Sequence, residues 1–312
     1  MFILYPVQRY VNSFLKGAYN SFFTFFLFPE NEVYSIINRN TVTEDFPMNQ
    51  TTKKAILAVS FGTSYETARK ATIEKIEKEI AEAFPDYRVY RAWTSKMILA
   101  ILKKRDNLYI PNVVEAMEQM KADGITDVVV QPTHILDGIE NNIMKEEALS
   151  FQDSFHSITF GTPLISSQED AHAVIGAVAE EFKEHLDDTA LVLMGHGTTH
   201  QVNSIYAQID TMFKEQGHSN IFLGTVEAEP TIHDLVREVC SYSPKKVVLA
   251  PFMIVAGDHA HNDMAGDEPD SWAYQFRQQN YEVQPVLKGL GEYPGIRSLF
   301  IDHVKQAISS QA

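Results

Sequence analysis

The sequence predicts an α/β protein with two similar, doubly wound parallel-sheet domains that face each other across a cleft. From Ala55 onward, short apolar runs alternate with amphipathic stretches of helical period, which is typical of parallel strands covered by helices. The later part of this pattern repeats the earlier part. The residues best suited to chemistry follow predicted strands, and open parallel sheets bind their ligands at the carboxyl ends of the strands.

In the first half, apolar and β-branched residues predict four strands, over 55–60, 88–93, 127–131 and 158–160. A helix is predicted over 66–84, after the N-cap residues Thr63 and Ser64 and before Pro85. A second, over 111–124, begins at Pro111 and ends near Gly124, and a third, over 169–185, leads into the second half.

The second half repeats this scheme. Strands are predicted over 190–194, 221–226, 246–250 and 281–286, and a last helix over 294–308. We therefore expect an N-terminal α/β domain over 51–185 and a C-terminal α/β domain, which carries the candidate metal ligands, over 186–312.

The composition of the chain argues against several classes of function and of site. The chain has 312 residues, is 45% hydrophobic and has a formal net charge of -15, which argues against binding to nucleic acid or to an anionic membrane surface. A single cysteine, Cys240, excludes an internal disulfide and a cysteine-based zinc site. We expect a cytoplasmic protein, and a homo-oligomer is compatible with the sequence.

The first 50 residues differ from the rest, because residues 1–28 are rich in Phe and Tyr. Their apolar runs are shorter than the roughly 18 residues that span a bilayer. Contact of residues 1–28 with a membrane surface is one interpretation. We favour the other, in which this N-terminal extension is dispensable and the functional protein begins near Met48.

Three residues near predicted strand ends form the strongest candidate site. They are His196 in Met-Gly-His-Gly, Glu227 in Thr-Val-Glu, and His259 in Ala-Gly-Asp-His. Their spacing of 31 and then 32 residues is about one βαβ unit each time, so they should meet at one edge of the sheet. Two imidazoles and a carboxylate are suitable ligands for Co²⁺, Fe²⁺, Ni²⁺ or Zn²⁺. Either Asp258 or Asp263 is expected to orient an imidazole.

Short motifs align the two halves. Ser-Phe-Gly-Thr-Ser at 60–64 matches Gly-His-Gly-Thr-Thr at 195–199, and Val-Val-Gln-Pro at 129–132 matches Val-Leu-Ala-Pro at 248–251. The alignment pairs Phe61 with His196 and Glu140 with His259, and it places Trp93 near the counterpart of Glu227. One half then carries the metal ligands and the other a largely aromatic surface, which favours a flat, apolar ligand with a polar edge.

Two further histidines are candidates for substrate contact. His200 lies shortly after His196, and His134 follows a strand of the first half, so both are expected near the cleft, with structural roles as the alternative. The sequence contains neither a Gly-x-Gly-x-x-Gly motif nor a Walker-type phosphate loop, so no nucleotide is expected. It also lacks a Gly-x-Ser-x-Gly elbow and a His-Glu-x-x-His motif.

Taken together, these motifs resemble the anaerobic sirohydrochlorin cobaltochelatases of the CbiK type, class II chelatases. The resemblance spans about residues 53–308. It rests on segments that occur in the same order, at 60–65, 91–95, 134–138, 194–197, 226–227, 255–264 and 289–292.

The resemblance implies a two-domain lyase that inserts Co²⁺ into the reduced tetrapyrrole sirohydrochlorin, without ATP, on the way to cobalamin. It also implies that His196, Glu227 and His259 bind the metal and that His196 accepts protons. One departure is Glu229, where the resemblance leads us to expect an aromatic residue before Pro230.

Several questions stay open at this point. Substrate carboxylates are expected to meet helix N-termini and a few basic residues, with Arg69, Arg91 and Lys96 as candidates. The alternatives to a cobaltochelatase are a non-catalytic carrier of metal or tetrapyrrole that uses the same cleft, and a chelatase for Fe²⁺ or Ni²⁺.

Overall fold

In the computed structural model, residues 53–185 and 188–310 are described. All of them belong to one compact unit, Thr41–Ala312. The predictions for the first 50 residues, and the exact domain boundary at residue 186, lie outside the described residues. The division into two domains therefore stays a prediction. In the part of the chain that the structure describes, no helix is long and apolar enough to cross a membrane.

The first sheet contains four parallel strands in the order β2-β1-β3-β4. The strands are β1 (Lys54–Ser60), β2 (Arg88–Trp93), β3 (Asp127–Pro132) and β4 (Ser157–Phe160). Residues 55–60 of β1 are all buried, as expected for a strand covered on both faces. The four predicted strands of this half are confirmed, with shifts of one residue at their ends.

Six helices accompany this sheet: α1 (Glu66–Ala71), α2 (Ile73–Ala83), α3 (Lys96–Asp106), α4 (Val113–Ala122), α5 (Ile139–Leu149) and α6 (Gln168–Phe182). The single helix predicted over 66–84 is wrong in one respect, because it is interrupted at Thr72. The Thr72 hydroxyl donates to the Ala68 carbonyl at 2.6 Å, which competes with regular helix geometry. The sequence patterns did not identify α3 and α5.

The second sheet has the same topology, with the order β6-β5-β7-β8. Its strands are β5 (Thr189–Gly195), β6 (Ile221–Thr225), β7 (Lys246–Pro251) and β8 (Glu282–Pro285). Its helices are α7 (Ser204–Glu215), α8 (Ile232–Tyr242), α9 (Trp272–Arg277) and α10 (Pro294–Ser309). The predicted α/β class with two doubly wound parallel sheets is confirmed.

The backbone hydrogen bonds show how closely the halves repeat each other. Thr94 N–H donates to the Ser60 carbonyl at 3.0 Å, and Val226 N–H donates to the Gly195 carbonyl at the same distance. Gly138 and Gly257 each donate to the carbonyl two residues earlier, both at 3.0 Å. The repeated motifs therefore correspond to repeated loop geometry at the strand ends.

A shared core joins the halves. The largest apolar cluster combines Ile56 and Val129 of the first sheet with Leu191 and Val248 of the second. Helix α10 packs against α2 and α6, and Arg297 of α10 bonds Glu79 of α2 at 2.7 Å. The two sheets are therefore joined by a common core and by the contacts of helix α10.

Candidate metal centre and cleft

His196 follows β5 directly, between two glycines that the local geometry requires. A Cβ on Gly195 would lie 2.4 Å from the Tyr206 ring, and Gly197 has φ +86° with its Cβ position 2.9 Å from the Ala228 nitrogen. The Nδ1 of His196 is 3.0 Å from the Gly197 carbonyl. Since a carbonyl only accepts, this contact places the proton on Nδ1 and leaves the lone pair on Nε2.

Glu227 reaches the same place from β6. Its backbone N–H donates to the His196 carbonyl at 2.9 Å, so the two residues lie side by side. The loop beyond it is closed by a hydrogen bond from Thr225 N–H to the Pro230 carbonyl at 2.7 Å. Asn203 also donates to the Glu229 carbonyl at 2.8 Å. Glu229, which stands where the resemblance predicts an aromatic residue, therefore connects this loop through its backbone to the segment after His196.

The position of His259 relative to its strand differs from the prediction. It lies eight residues beyond the end of β7 at Pro251, where a helical turn begins, and not directly at the strand end. Its Nδ1 is 2.7 Å from the Asp263 carboxylate, one turn further along. This hydrogen bond raises the pKa of His259, although burial opposes the shift. It also leaves the Nε2 lone pair, on the side of Glu227, as the ligand atom for a metal.

These three residues form a compact group of metal-binding type. Each offers a ligand atom, and these atoms all lie within 4.8 Å of one another. The Glu227 carboxylate is 3.5 Å from His196 Nδ1 and 4.0 Å from His259 Nε2. The imidazole rings meet nearly at right angles, with centroids 4.7 Å apart. Their side chains keep 42%, 28% and 31% of their surface exposed, in the order His196, Glu227, His259, so the group is open to a ligand.

The first half carries other residues at the equivalent positions. Phe61 directly follows β1, as His196 follows β5, and it is 44% exposed. Ser95 N–H donates to the Phe61 carbonyl at 3.2 Å, which repeats the bond from Glu227 to His196. Ser95, and not Trp93, is therefore the counterpart of Glu227.

Trp93 is fully buried, and a Cβ on Gly62 would lie 2.4 Å from its ring. The expectation that Trp93 presents an aromatic surface to a ligand is wrong, because its indole is buried and packs against Gly62 in the loop after β1. Gly62, with φ +101°, is the residue that permits this close approach.

His134 also lies in a different environment from the one expected. Both ring nitrogens are buried, with Asn141 beside them, and burial lowers the pKa of His134 to about 4. A neutral ring with buried nitrogens does not offer a polar contact to a substrate. Glu140, in the first turn of α5, is half-buried and keeps the position equivalent to His259.

His200 lies in the loop after β5, in the same half as His196. It is close enough to Asp137 of the first half to act on that carboxylate electrostatically. In the same region, a Cβ on Gly138 would contact Val202 at 3.8 Å. The loops after β3 and β5 therefore meet across the cleft.

Two of the basic candidates are already engaged in ion pairs. Arg69 bonds Glu74 at 2.8 Å, and Arg91 forms a bidentate pair with the buried carboxylate of Glu77. Both belong to a network on α1, α2 and β2. Lys96, the first residue of α3, is exposed at the carboxyl end of β2.

The same edge of the first sheet carries exposed apolar residues that the sequence patterns missed. Met97 of α3 is 61% exposed, and Ile139 and Ile143 of α5 are 48% and 41% exposed. They belong to segments that follow β2 and β3, as Phe61 follows β1. A prediction that helices α3 and α5 begin shortly after β2 and β3 would have identified these exposed apolar residues.

Comparisons with known proteins agree with this architecture. The family model for cobalt chelatase (CbiK) matches residues 54–309. A sirohydrochlorin cobaltochelatase of Salmonella typhimurium is 37% identical over 257 residues, which cover 82% of this chain and 97% of the relative. The sirohydrochlorin cobaltochelatase CbiKC of Nitratidesulfovibrio vulgaris is 30% identical over 266 residues, 83% of this chain and 92% of the relative.

Two solved structures share the fold at low sequence identity. SirB from Bacillus subtilis, solved with Fe³⁺, has a TM-score of 0.57 at 15% identity and covers 83% of this chain and 97% of its own. CbiX, described as the terminal enzyme for biosynthesis of siroheme in denitrifying bacteria, has a TM-score of 0.51 at 16% identity, with coverages of 81% and 99%. From the family match and the two sequence relatives, this chain belongs to the CbiK cobalt chelatase family.

Proposed function

We propose that this protein is a sirohydrochlorin cobaltochelatase, which inserts Co²⁺ into sirohydrochlorin without ATP in anaerobic cobalamin biosynthesis. The observation that carries the proposal is the group formed by His196, Glu227 and His259. Their ligand atoms lie within 4.8 Å of one another, on the segments that follow three adjacent strands of the second sheet. Membership in the family supports the choice of reaction and substrate.

The ligand set suits a metal that must leave again. Three protein ligands keep coordination positions vacant, in contrast to the closed four-ligand cages of structural zinc sites. Both imidazoles have an acceptor for the Nδ1 proton, Gly197 carbonyl for His196 and Asp263 for His259. For His259 this leaves the Nε2 lone pair available on the side of Glu227, 4.0 Å from its carboxylate.

Insertion exchanges two pyrrole N–H protons for one Co²⁺ ion, so the site must also accept protons. His196 is the most exposed of the three side chains. When the metal moves to the macrocycle, the imidazole of His196 becomes available to accept a proton, a role that histidine often has in general acid–base catalysis. We assign this acceptor role to His196, with solvent as the final proton sink.

The facing lip suits a flat macrocycle. Phe61 takes the place of His196 there, and Met97 and Ile139 are exposed on the helices that follow β2 and β3. An apolar lip opposite a polar metal site would bury a tetrapyrrole plane and leave its carboxylates at the rim. Lys96 is the basic candidate at that rim, because Arg69 and Arg91 are held in ion pairs.

The choice of cobalt rests on the named relatives, because a His/His/Glu set also accepts Fe²⁺, Ni²⁺ and Zn²⁺. The cytoplasmic location, the lack of a nucleotide requirement and the oligomeric state stay predictions.

The proposal is tested by mixing the purified protein with sirohydrochlorin and Co²⁺, without ATP, and following absorbance. We expect conversion to the cobalt product well above the uncatalysed rate and loss of that activity in His196→Ala. His172→Ala is the matched control, since His172 lies on the surface beside Gln216. Binding of tetrapyrrole or metal without insertion would support the carrier instead, and faster insertion of Fe²⁺ or Ni²⁺ would overturn the assignment of cobalt.

A further inference from the structure

Tyr65, in the loop after β1, contacts the turn that carries His259 in the other half. Its ring stacks on the imidazole of His261, with centroids 4.7 Å apart and planes within 2°. Its hydroxyl lies 3.3 Å from the Asp258 carboxylate and donates to it. Asp258 and His261 flank His259 in the chain, so one side chain of the first half touches both sides of a ligand-bearing residue.

We propose that Tyr65 is a positioning residue that fixes the direction of the His259 imidazole from across the cleft. This inference rests on the proposed function of the site, because it concerns how the metal ligand is held. Tyr65 itself does not touch the three ligands and is not assigned a catalytic role.

Tyr65 is firmly placed on its own side. Its backbone N–H donates to the Thr63 hydroxyl at 3.2 Å, and its carbonyl accepts from Arg69 N–H at 2.9 Å in the first turn of α1. Arg105 of α3 donates to the Ser64 carbonyl at 2.6 Å. The loop is therefore tied to two helices before it reaches across, which gives the ring a defined position.

The turn on the other side needs outside support. Residues Ala260–Met264 form a π-helical turn, a wide geometry that is rare and often found at functional sites. The Asp258 carboxylate also accepts from Asn262 at 2.9 Å, so the Tyr65 hydroxyl joins a bond that spans this turn. Gly257 adds a second approach, because a Cβ there would contact the Thr63 hydroxyl at 3.6 Å.

The halves are joined independently of this contact, by the shared core and the Arg297–Glu79 pair. Loss of the Tyr65 side chain is therefore expected to leave the fold intact and to loosen the turn that carries His259. The equivalent residue of the second half, His200, makes the same backbone bond to a threonine, at 3.1 Å, and approaches Asp137 of the first half. The repeat thus places one cross-cleft side chain in each half, and only Tyr65 meets the segment of a metal ligand.

The test uses the full chain and Co²⁺ alone, without tetrapyrrole. We expect Tyr65→Ala to weaken Co²⁺ binding roughly 2- to 12-fold, the range of one ring–ring contact, and to change the visible ligand-field spectrum of the bound ion. Tyr65→Phe keeps the stack and should restore most of both properties. Tyr90→Phe is the matched control, because it removes a tyrosine–aspartate hydrogen bond, to Asp123 at 2.7 Å, away from the site.

Wild-type affinity and spectrum in Tyr65→Ala would overturn the inference. A loss of affinity that Tyr90→Phe reproduces would also overturn it, since the effect would then be general. The result is separable from the proposed function: if wild type inserts no cobalt while Tyr65→Ala still weakens Co²⁺ binding, the proposed reaction fails and the positioning role stands.

Discussion

Replacement of Asp263 by Asn tests how the metal site is oriented. Asp263 accepts the Nδ1 proton of His259 at 2.7 Å and so directs Nε2 toward Glu227. Loss of such a carboxylate partner typically lowers metal affinity 10- to 100-fold. Because the Asp263 side chain is 44% exposed, solvent weakens the interaction, and we expect the lower end, about tenfold or ~1.4 kcal/mol.

The same substitution has a defined pH dependence. The hydrogen bond that His259 donates to Asp263 raises the pKa of His259, so protons compete with Co²⁺ up to a higher pH in wild type than in the variant. As the pH falls, wild type loses affinity first. The deficit of Asp263→Asn is therefore largest at alkaline pH and narrows toward acid pH.

The assay is calorimetric titration with Co²⁺ over a pH series, with Asp267→Asn as the control. Asp267 is 97% exposed and pairs with Arg277, outside the site. Equal affinity of Asp263→Asn and wild type at alkaline pH would refute the orienting role. A deficit that is constant across the pH series would refute the link to the pKa of His259.

Three further predictions concern stability and the ligand set. Gly217→Ala should lower the free energy of unfolding by about 1 kcal/mol, measured by thermal unfolding, because Gly217 has a positive φ. Gly197→Ala should lower it by more, because Gly197 also has a positive φ and a Cβ there would be crowded, unlike at Gly217. Equal losses in the two variants would contradict this. His134 has a pKa of about 4 in the folded protein against 6.5 unfolded, so folding stability should fall by up to about 3 kcal/mol as the pH drops from 6.5 toward 4. In His134→Gln this loss should be smaller, and an unchanged slope in urea unfolding would exclude the assignment. Glu227→Gln should weaken Co²⁺ binding at least tenfold while the far-UV circular dichroism stays unchanged, and wild-type affinity would remove Glu227 from the ligand set.

The sequence was sufficient to predict the sheets and to bring His196 and Glu227 together, because a strand end fixes the position of the next one or two residues. It was less informative for His259, because the seven-residue connection between β7 and His259 depends on loop geometry. From the sequence alone, Asp258 and Asp263 are equal candidates to orient an imidazole. The structure gives that role to Asp263, since a spacing of four residues within a helical turn returns to the same face.

The first half was harder to interpret because its motifs lack the ligands that mark the second. Proximity to a strand end places Trp93 near the counterpart of Glu227, but the register of the backbone hydrogen bonds gives that place to Ser95. A two-residue error moves a side chain from a loop into the core. The burial of His134 likewise depends on packing against α5, an element that the sequence pattern did not reveal.

The most direct test of the account is a single turnover with metal already bound. The protein is loaded with one equivalent of Co²⁺, freed of excess metal and mixed with sirohydrochlorin, and the cobalt product is measured by absorbance. If His196, Glu227 and His259 hold the metal that is inserted, product should form up to the amount of bound Co²⁺ without further addition. Product that forms only when free Co²⁺ is added, while the bound ion stays on the protein, would contradict the account.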